Sequence, residues 1–350
     1  MKNIKRFFSV LLATMLLSCA NDTGKDKAVV EKPVQDQNTE QGNVKSTASF
    51  ISQIDSITTL IDKDPNNPEL YISRAELWLD NKRVVPAEHD LKKALELDST
   101  NEEYLLALGN HSALVNNTRN SRDLWEKCAA LNPKNISCRI KLSELYFFVQ
   151  DFETSVKYAN EVLELDPTKH LASYFKAMSM LEYGDTTKAL RSFHDALEMK
   201  PDFSRAVAML AKVYAENNDD LAVDYYKNLL SLRPNDKTIY FNIGYFYQQR
   251  KDYNKSLNFY NLASKVDPEN DGIYYNMGFI NSELEEYERA IELFSKAIEV
   301  NNIAFQAYFA RGYIYELLGK NSKAKEDYSS VLLLKPGYRP ANEGIDRLKK

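Results

Sequence analysis

Apolar positions along the chain form a long succession of helical stripes, broken at regular intervals by helix-stopping residues. Residues 50–64 carry Phe50, Ile54, Ile57, Leu60 and Ile61 at helical spacing and end before Pro65, which cannot continue a helix. Further breaks fall at Ser99, Pro133, Pro167, Pro201, Pro234, Pro268, Asn302 and Pro336. Each step is 34 residues except the one from Pro201 to Pro234, which is 33. A fixed period of this length marks a repeat array, in which each unit buries its apolar face on its neighbours. The missing residue is placed near Asn217 to Asp220, in a turn, where a deletion costs least.

Small residues recur in the same register. Ala75, Gly109, Ser143, Ala177, Ala211, Gly244, Gly278 and Gly312 share one place in the first half of the unit. Ala87, Ser121, Ser155, Ala189, Ala222, Ser256, Ala290 and Ala324 share one in the second half. A third place is large (Leu91, Trp125, Phe193, Tyr226, Tyr260, Phe294, Tyr328), with Ala159 the departure. In this pattern the chain resembles the tetratricopeptide repeat family. The resemblance covers residues 67–338 and implies an all-α fold, a right-handed α-solenoid of about eight helix pairs whose small residues let paired helices touch. Residues 49–66 then read as an N-terminal capping helix. Residues 339–350 read as a C-terminal one, with Ile345 and Leu348 on one face and Arg347, Lys349 and Lys350 off it.

The start of the chain reads differently. Lys2, Lys5 and Arg6 precede an apolar run from Phe7 to Leu17, too short to span a bilayer and expected to be part of an export signal, residues 1–18. Leu16, Leu17, Ser18 and Cys19 resemble the lipobox of bacterial lipoproteins, which implies cleavage before Cys19 and acylation of that residue. An ordinary signal peptide cut after Ala20 is the other reading. Ala20 stands where lipoproteins kept in the inner membrane of enteric bacteria usually have Asp, so the implied address is the outer membrane of the cell envelope. Residues 19–48 are polar and poor in large apolar side chains, and are expected to be a disordered tether.

The chain has 350 residues and a net charge of −5, near −8 once the three positive charges of the signal are set apart. An acidic chain without a basic stripe is poorly suited to nucleic acid. Cys128 and Cys138 leave a disulfide open in an oxidising compartment. The favoured expectation is two small buried thiols, since bonding needs Cα atoms within about 7 Å. His89, His111, His170 and His194 have no metal-ligand spacing, and no phosphate-binding glycine loop is present. Acidic pairs such as Asp219 with Asp220 and Glu285 with Glu286 fall in turns rather than across a cleft. Neither enzyme activity nor a cofactor or metal is expected.

In the family the first helix of each repeat lines an inner face that binds extended peptides or helices. Carried over by register, that face holds Phe241, Asn242 and Tyr245, then Tyr275, Asn276 and Phe279, then Phe309 and Tyr313. Phe147, Phe148, Tyr174 and Met178 continue it towards the N-terminus. The family favours an aromatic at 241, 275 and 309 and an Asn at 242 and 276, so packing against neighbouring helices is the other reading there. Tyr245, Phe279 and Tyr313 depart from it, and the Asn amides suit a bound backbone. The Lys and Asn clamp with which co-chaperones hold a C-terminal carboxylate is missing. The implied function is an envelope-anchored scaffold or adaptor holding protein partners in its concave groove. The alternative is a carbohydrate-binding lipoprotein whose rings stack on peptidoglycan or exported polysaccharide.

Overall fold

The computed structural model describes residues 40–349, and every regular element among them is an α-helix. The signal, Cys19 and residues 20–39 of the expected tether lie outside the described residues. None of the described helices is long and apolar enough to cross a membrane. The chain divides into two compact units, with the boundary between Arg83 and Val84.

In the first unit, α1 (Glu40–Lys63) packs on α2 (Pro68–Asp80). Ile54 and Ile61 are buried, Phe50 meets Trp78 edge to face at 5.5 Å, and Arg74 donates to the Thr58 hydroxyl at 3.0 Å. Asn67 caps α2 through the Glu69 amide, and Pro68 stands in the first turn, where its missing N–H costs nothing. Helix α1 begins at Glu40, upstream of the expected start at residue 49 and inside the expected tether. Low hydrophobicity did not prevent residues 40–48 from continuing a helix that the following apolar turns nucleate. Leu60, expected on the covered face, is 46% exposed.

The second unit opens with α3 (Val84–Leu97) and continues as seven helix pairs, each packed on the next. The pairs are α4 (Glu102–Leu114) with α5 (Thr118–Leu131), α6 (Ile136–Phe148) with α7 (Phe152–Leu165), and α8 (His170–Glu182) with α9 (Thr186–Met199). Then come α10 (Ser204–Glu216) with α11 (Leu221–Leu232), α12 (Thr238–Gln249) with α13 (Tyr253–Val266), α14 (Asp271–Glu283) with α15 (Tyr287–Val300), and α16 (Phe305–Leu317) with α17 (Asn321–Leu334). Helix α18 (Arg339–Leu348) closes the stack. This is the all-α repeat solenoid expected.

One turn joins every pair. A single residue takes left-handed φ at Asn116, Gln150, Gly184, Asn218, Lys251, Glu285 and Gly319. The next N–H donates five residues back, as from Asp151 to the Tyr146 carbonyl at 2.9 Å and from Glu286 to that of Asn281 at 2.8 Å. These bonds satisfy the last carbonyls of each first helix. Asn117, Asp151, Asp185 and Asp252 then cap the following helix through their side chains. The spacing of the left-handed residue shortens only between Asn218 and Lys251, and the absent residue falls between Asn218 and Ala222.

The small residues of the register are buried where paired helices cross. A Cβ built on Gly278 would stand 2.8 Å from two ring carbons of Phe294, and one on Gly244 would stand 2.8 Å from the Tyr260 ring. In these pairs the ring lies directly on the glycine backbone. Serines instead bond across the pair: Ser256 donates to the Gly244 carbonyl at 2.7 Å, and Ser155 to the Ser143 carbonyl at 2.8 Å.

Two expectations are corrected. Cys128 on α5 and Cys138 on α6 are joined by a disulfide, with Cα atoms 6.3 Å apart. Packing between consecutive repeats brings the two places within bonding range, which spacing along the chain could not reveal. Arg347 of α18 is more than a solvated charge, since it donates to both Glu316 oxygens at 2.6 and 2.8 Å. Tyr328 donates to the same carboxylate at 2.6 Å.

Candidate interaction surfaces

The eight residues assigned to the groove separate into two groups. Phe241, Asn242 and Tyr245 on α12 are half-buried, and the Phe241 and Tyr245 rings lie parallel with centroids 6.5 Å apart. Tyr275, Asn276 and Phe279 on α14, and Phe309 and Tyr313 on α16, are buried, none more than 9% exposed. Tyr275 packs on Phe294 at 5.7 Å, and Phe309 on Tyr328 and Tyr338. Burial, with the Glu316 charge nearby, raises the Tyr313 hydroxyl pKa to about 12. Asn276 donates to the Gly272 carbonyl at 2.7 Å and accepts from the Gln248 amide, which in turn accepts from the Tyr260 hydroxyl at 2.7 Å.

These five therefore act as core rather than as an open groove. Tyr275 and Phe309 meet rings of the second helix of their own pair, and Phe309 also meets Tyr338 before α18, so these rings contact protein instead of solvent. Buried rings also offer no face on which a sugar could stack.

Nearer the N-terminus the first helices carry more half-buried apolar side chains. Ile140 and Phe147 on α6, Leu171, Met178 and Leu181 on α8, and Met209 on α10 are half-buried. Tyr174 is buried beneath the exposed Arg205, whose guanidinium sits 4.6 Å from the ring centroid. The accessible apolar part of the first-helix face thus runs from α6 to α10 and ends at Phe241 and Tyr245 of α12.

Sequence reasoning missed a second surface. At the turn edge, Leu114, Val115, Phe148, Val149 and Tyr183 are 44–56% exposed. Phe147, Phe152 and Tyr183 link α6 to α8 through ring contacts at 5.9 Å. The signal was available: apolar residues end the first helix in three consecutive repeats, where the next two end in Glu216 with Asn217 and Gln249 with Arg250.

Titratable groups do not converge. Among the described residues no three His, Cys, Asp or Glu side chains could share a metal ion. His111 is buried with Nε2 2.9 Å from the Val84 carbonyl, His170 lies against Phe203 with its pKa lowered by burial, and His194 meets Tyr214 at 3.1 Å.

The tetratricopeptide repeat model matches residues 136–169, 238–270, 272–303 and 305–338, each coinciding with one helix pair. Those four helix pairs are tetratricopeptide repeats. The chain's relatives include human tetratricopeptide repeat protein 13, 24% identical over 172 residues, which are 49% of this chain and 16% of that protein. Another is a Dictyostelium discoideum homologue of DnaJ subfamily C member 7, 22% identical over 236 residues, 61% of this chain and 44% of that one. The chain spans less than half the length of these curated relatives. A solved tetratricopeptide repeat protein from Parabacteroides merdae is similar with a TM-score of 0.40 and 17% identity, over 81% of this chain and 99% of that one. Tetratricopeptide repeats of this kind make a protein–protein interaction scaffold.

Proposed function

We propose that this protein is an exported, lipid-anchored adaptor that holds an extended or helical segment of a partner protein along the first helices of repeats three to six. The observation that carries the reading is the run of half-buried apolar side chains along consecutive first helices, Phe147 on α6, Leu171 and Met178 on α8 and Met209 on α10, continuing to Phe241 and Tyr245 on α12. Methionines adapt their shape to a partner, and half-buried aromatics supply area at small entropic cost. Export is supported from a second direction by the Cys128–Cys138 disulfide, because such bonds persist in oxidising compartments. The apolar run before Cys19 supports lipid anchoring in the cell envelope, at the outer membrane.

The test is affinity capture from crosslinked envelopes with the full chain and with a Met178→Ser, Tyr245→Ser variant. A protein recovered with the first and lost with the second is expected, with helicity unchanged. Equal recovery with both would refute this placement of the partner. In parallel, Cys19→Ser is expected to abolish incorporation of a labelled fatty acid into the protein, and label retained by the variant would refute the anchor.

A further inference from the structure

The turn edge of repeats two to four exposes more apolar surface than a solvated turn needs. Leu114 and Val115 end α4, Phe148 and Val149 end α6, and Tyr183 ends α8, in consecutive repeats. Five large side chains about half exposed present on the order of 400 Å² of apolar area, a size that on a monomer usually marks a contact site. With a polar rim added, this approaches the roughly 800 Å² that each partner brings to a stable interface.

Charge along the same edge points to the occupant. In repeats five and seven the edge is acidic, with Glu216, Asp219 and Asp224, then Glu285, Glu286 and Glu288. Two copies of an acidic chain repel there. In repeats two to four Arg122 pairs with Asp123 and Lys188 with Asp185, which leaves Arg119 at one end, Asp151 and Glu153 in the middle and Glu182 at the other end. Arg119 is exposed at the second-repeat end and Glu182 at the fourth-repeat end, and neither forms an ion pair with another described residue.

We infer that repeats two to four pair with the same repeats of a second copy of this chain, antiparallel about a two-fold axis at Phe148 and Val149. A two-fold interface uses the same patch twice, so a patch with opposite charges at its two ends complements itself. Arg119 of each copy then faces Glu182 of the other, and the aliphatic end meets the aromatic end. Glu153, exposed near the axis, faces its own equivalent and weakens the pair. The surface differs from the first-helix face assigned to the partner segment, so each can fail alone.

The test is sedimentation equilibrium of the full chain carrying Cys19→Ser, so that no acyl chain drives association, with circular dichroism as the folding control. A dimer is expected, its dissociation constant raised at least about tenfold by Phe148→Ser with Val149→Ser. Arg119→Glu alone and Glu182→Arg alone are each expected to weaken it several-fold. Mixing these two variants should restore association, because each then meets the opposite charge at both ends. Glu153→Gln should tighten it. A monomer at concentrations on the order of 100 µM overturns the proposal. So does a dimer indifferent to the edge substitutions, or a mixture no tighter than its components. A monomer whose edge variant loses a different co-purifying protein overturns it in favour of that protein.

Discussion

Gly278 offers a quantitative test of how the helix pairs are built. Its backbone carries the Phe294 ring, and a Cβ would lie 2.8 Å from ring carbons Cδ1 and Cε1 and 3.2 Å from Cγ. Ordinary carbon contacts begin near 3.5 Å, so an alanine requires the ring to retreat by roughly 0.5–1 Å. Phe294 is fully buried and already packs on Tyr275 at 5.7 Å, which leaves it little room to move. Overpacking of this kind costs about 1–3 kcal/mol, against about 1 kcal/mol gained by replacing a mid-helix glycine with alanine. Gly278→Ala is therefore expected to be destabilising by about 0–2 kcal/mol in the native sequence. With Phe294→Leu the ring is gone and only the helix term remains, so the same change should stabilise by about 1 kcal/mol. The cycle isolates a coupling of about 1–3 kcal/mol. Urea unfolding followed by circular dichroism reads it. Hydrogen exchange in α14 and α15 checks that the loss is local, since repeat arrays can unfold in parts. A Gly278→Ala change equally stabilising in both backgrounds would refute the packing argument.

Other consequences follow from the turns, the disulfide and the caps. Lys251 and Glu285 hold left-handed φ at turns where Gly184 and Gly319 do so freely, so Lys251→Gly and Glu285→Gly should each stabilise by about 0.5–1 kcal/mol in the same urea assay, and a loss would contradict the turn geometry. Thiol titration of unreduced, denatured protein should find neither Cys128 nor Cys138 free, and Cys128→Ser with Cys138→Ser should cost about 2–4 kcal/mol. The Thr168 hydroxyl and amide, with Lys169, hold the Asp166 carboxyl down to about 2, and a Lys188 contact lowers that of Asp185. A lowered folded pKa gives stability that is present above the unfolded value of about 4 and lost as pH falls through the folded one. Unfolding midpoints should therefore fall between about pH 4 and pH 2, less steeply in Asp166→Asn with Asp185→Asn; an unchanged slope would show these contacts do not act in solution.

Much of the fold was legible because it is local and repeated. The place of Gly278 and Ala290 in one repeat is that of Gly244 and Ser256 in another, and the shortened turn at Asn218 could be found by counting. Side-chain accessibility was less legible. Tyr245 and Phe279 occupy the same register, yet Tyr245 is half-buried and Phe279 buried. A 34-residue register cannot carry that difference, which is set by how consecutive pairs lean on one another. The disulfide escaped for the same reason, since its two cysteines belong to different repeats. The edge stripe of Leu114, Phe148 and Tyr183 was visible as residues but not as a surface until consecutive turns were placed side by side.

The central claim is that a partner protein lies along the open first helices, and photocrosslinking in intact cells tests it most directly. A photoreactive residue is placed in turn at Met178, at Tyr245 and at Met199, the last exposed at the end of α9 and off the first helices. The account expects Met178 and Tyr245 to trap one and the same protein, and Met199 not to trap it. A protein trapped at Met199 alone, or no protein trapped at Met178 and Tyr245, would contradict it.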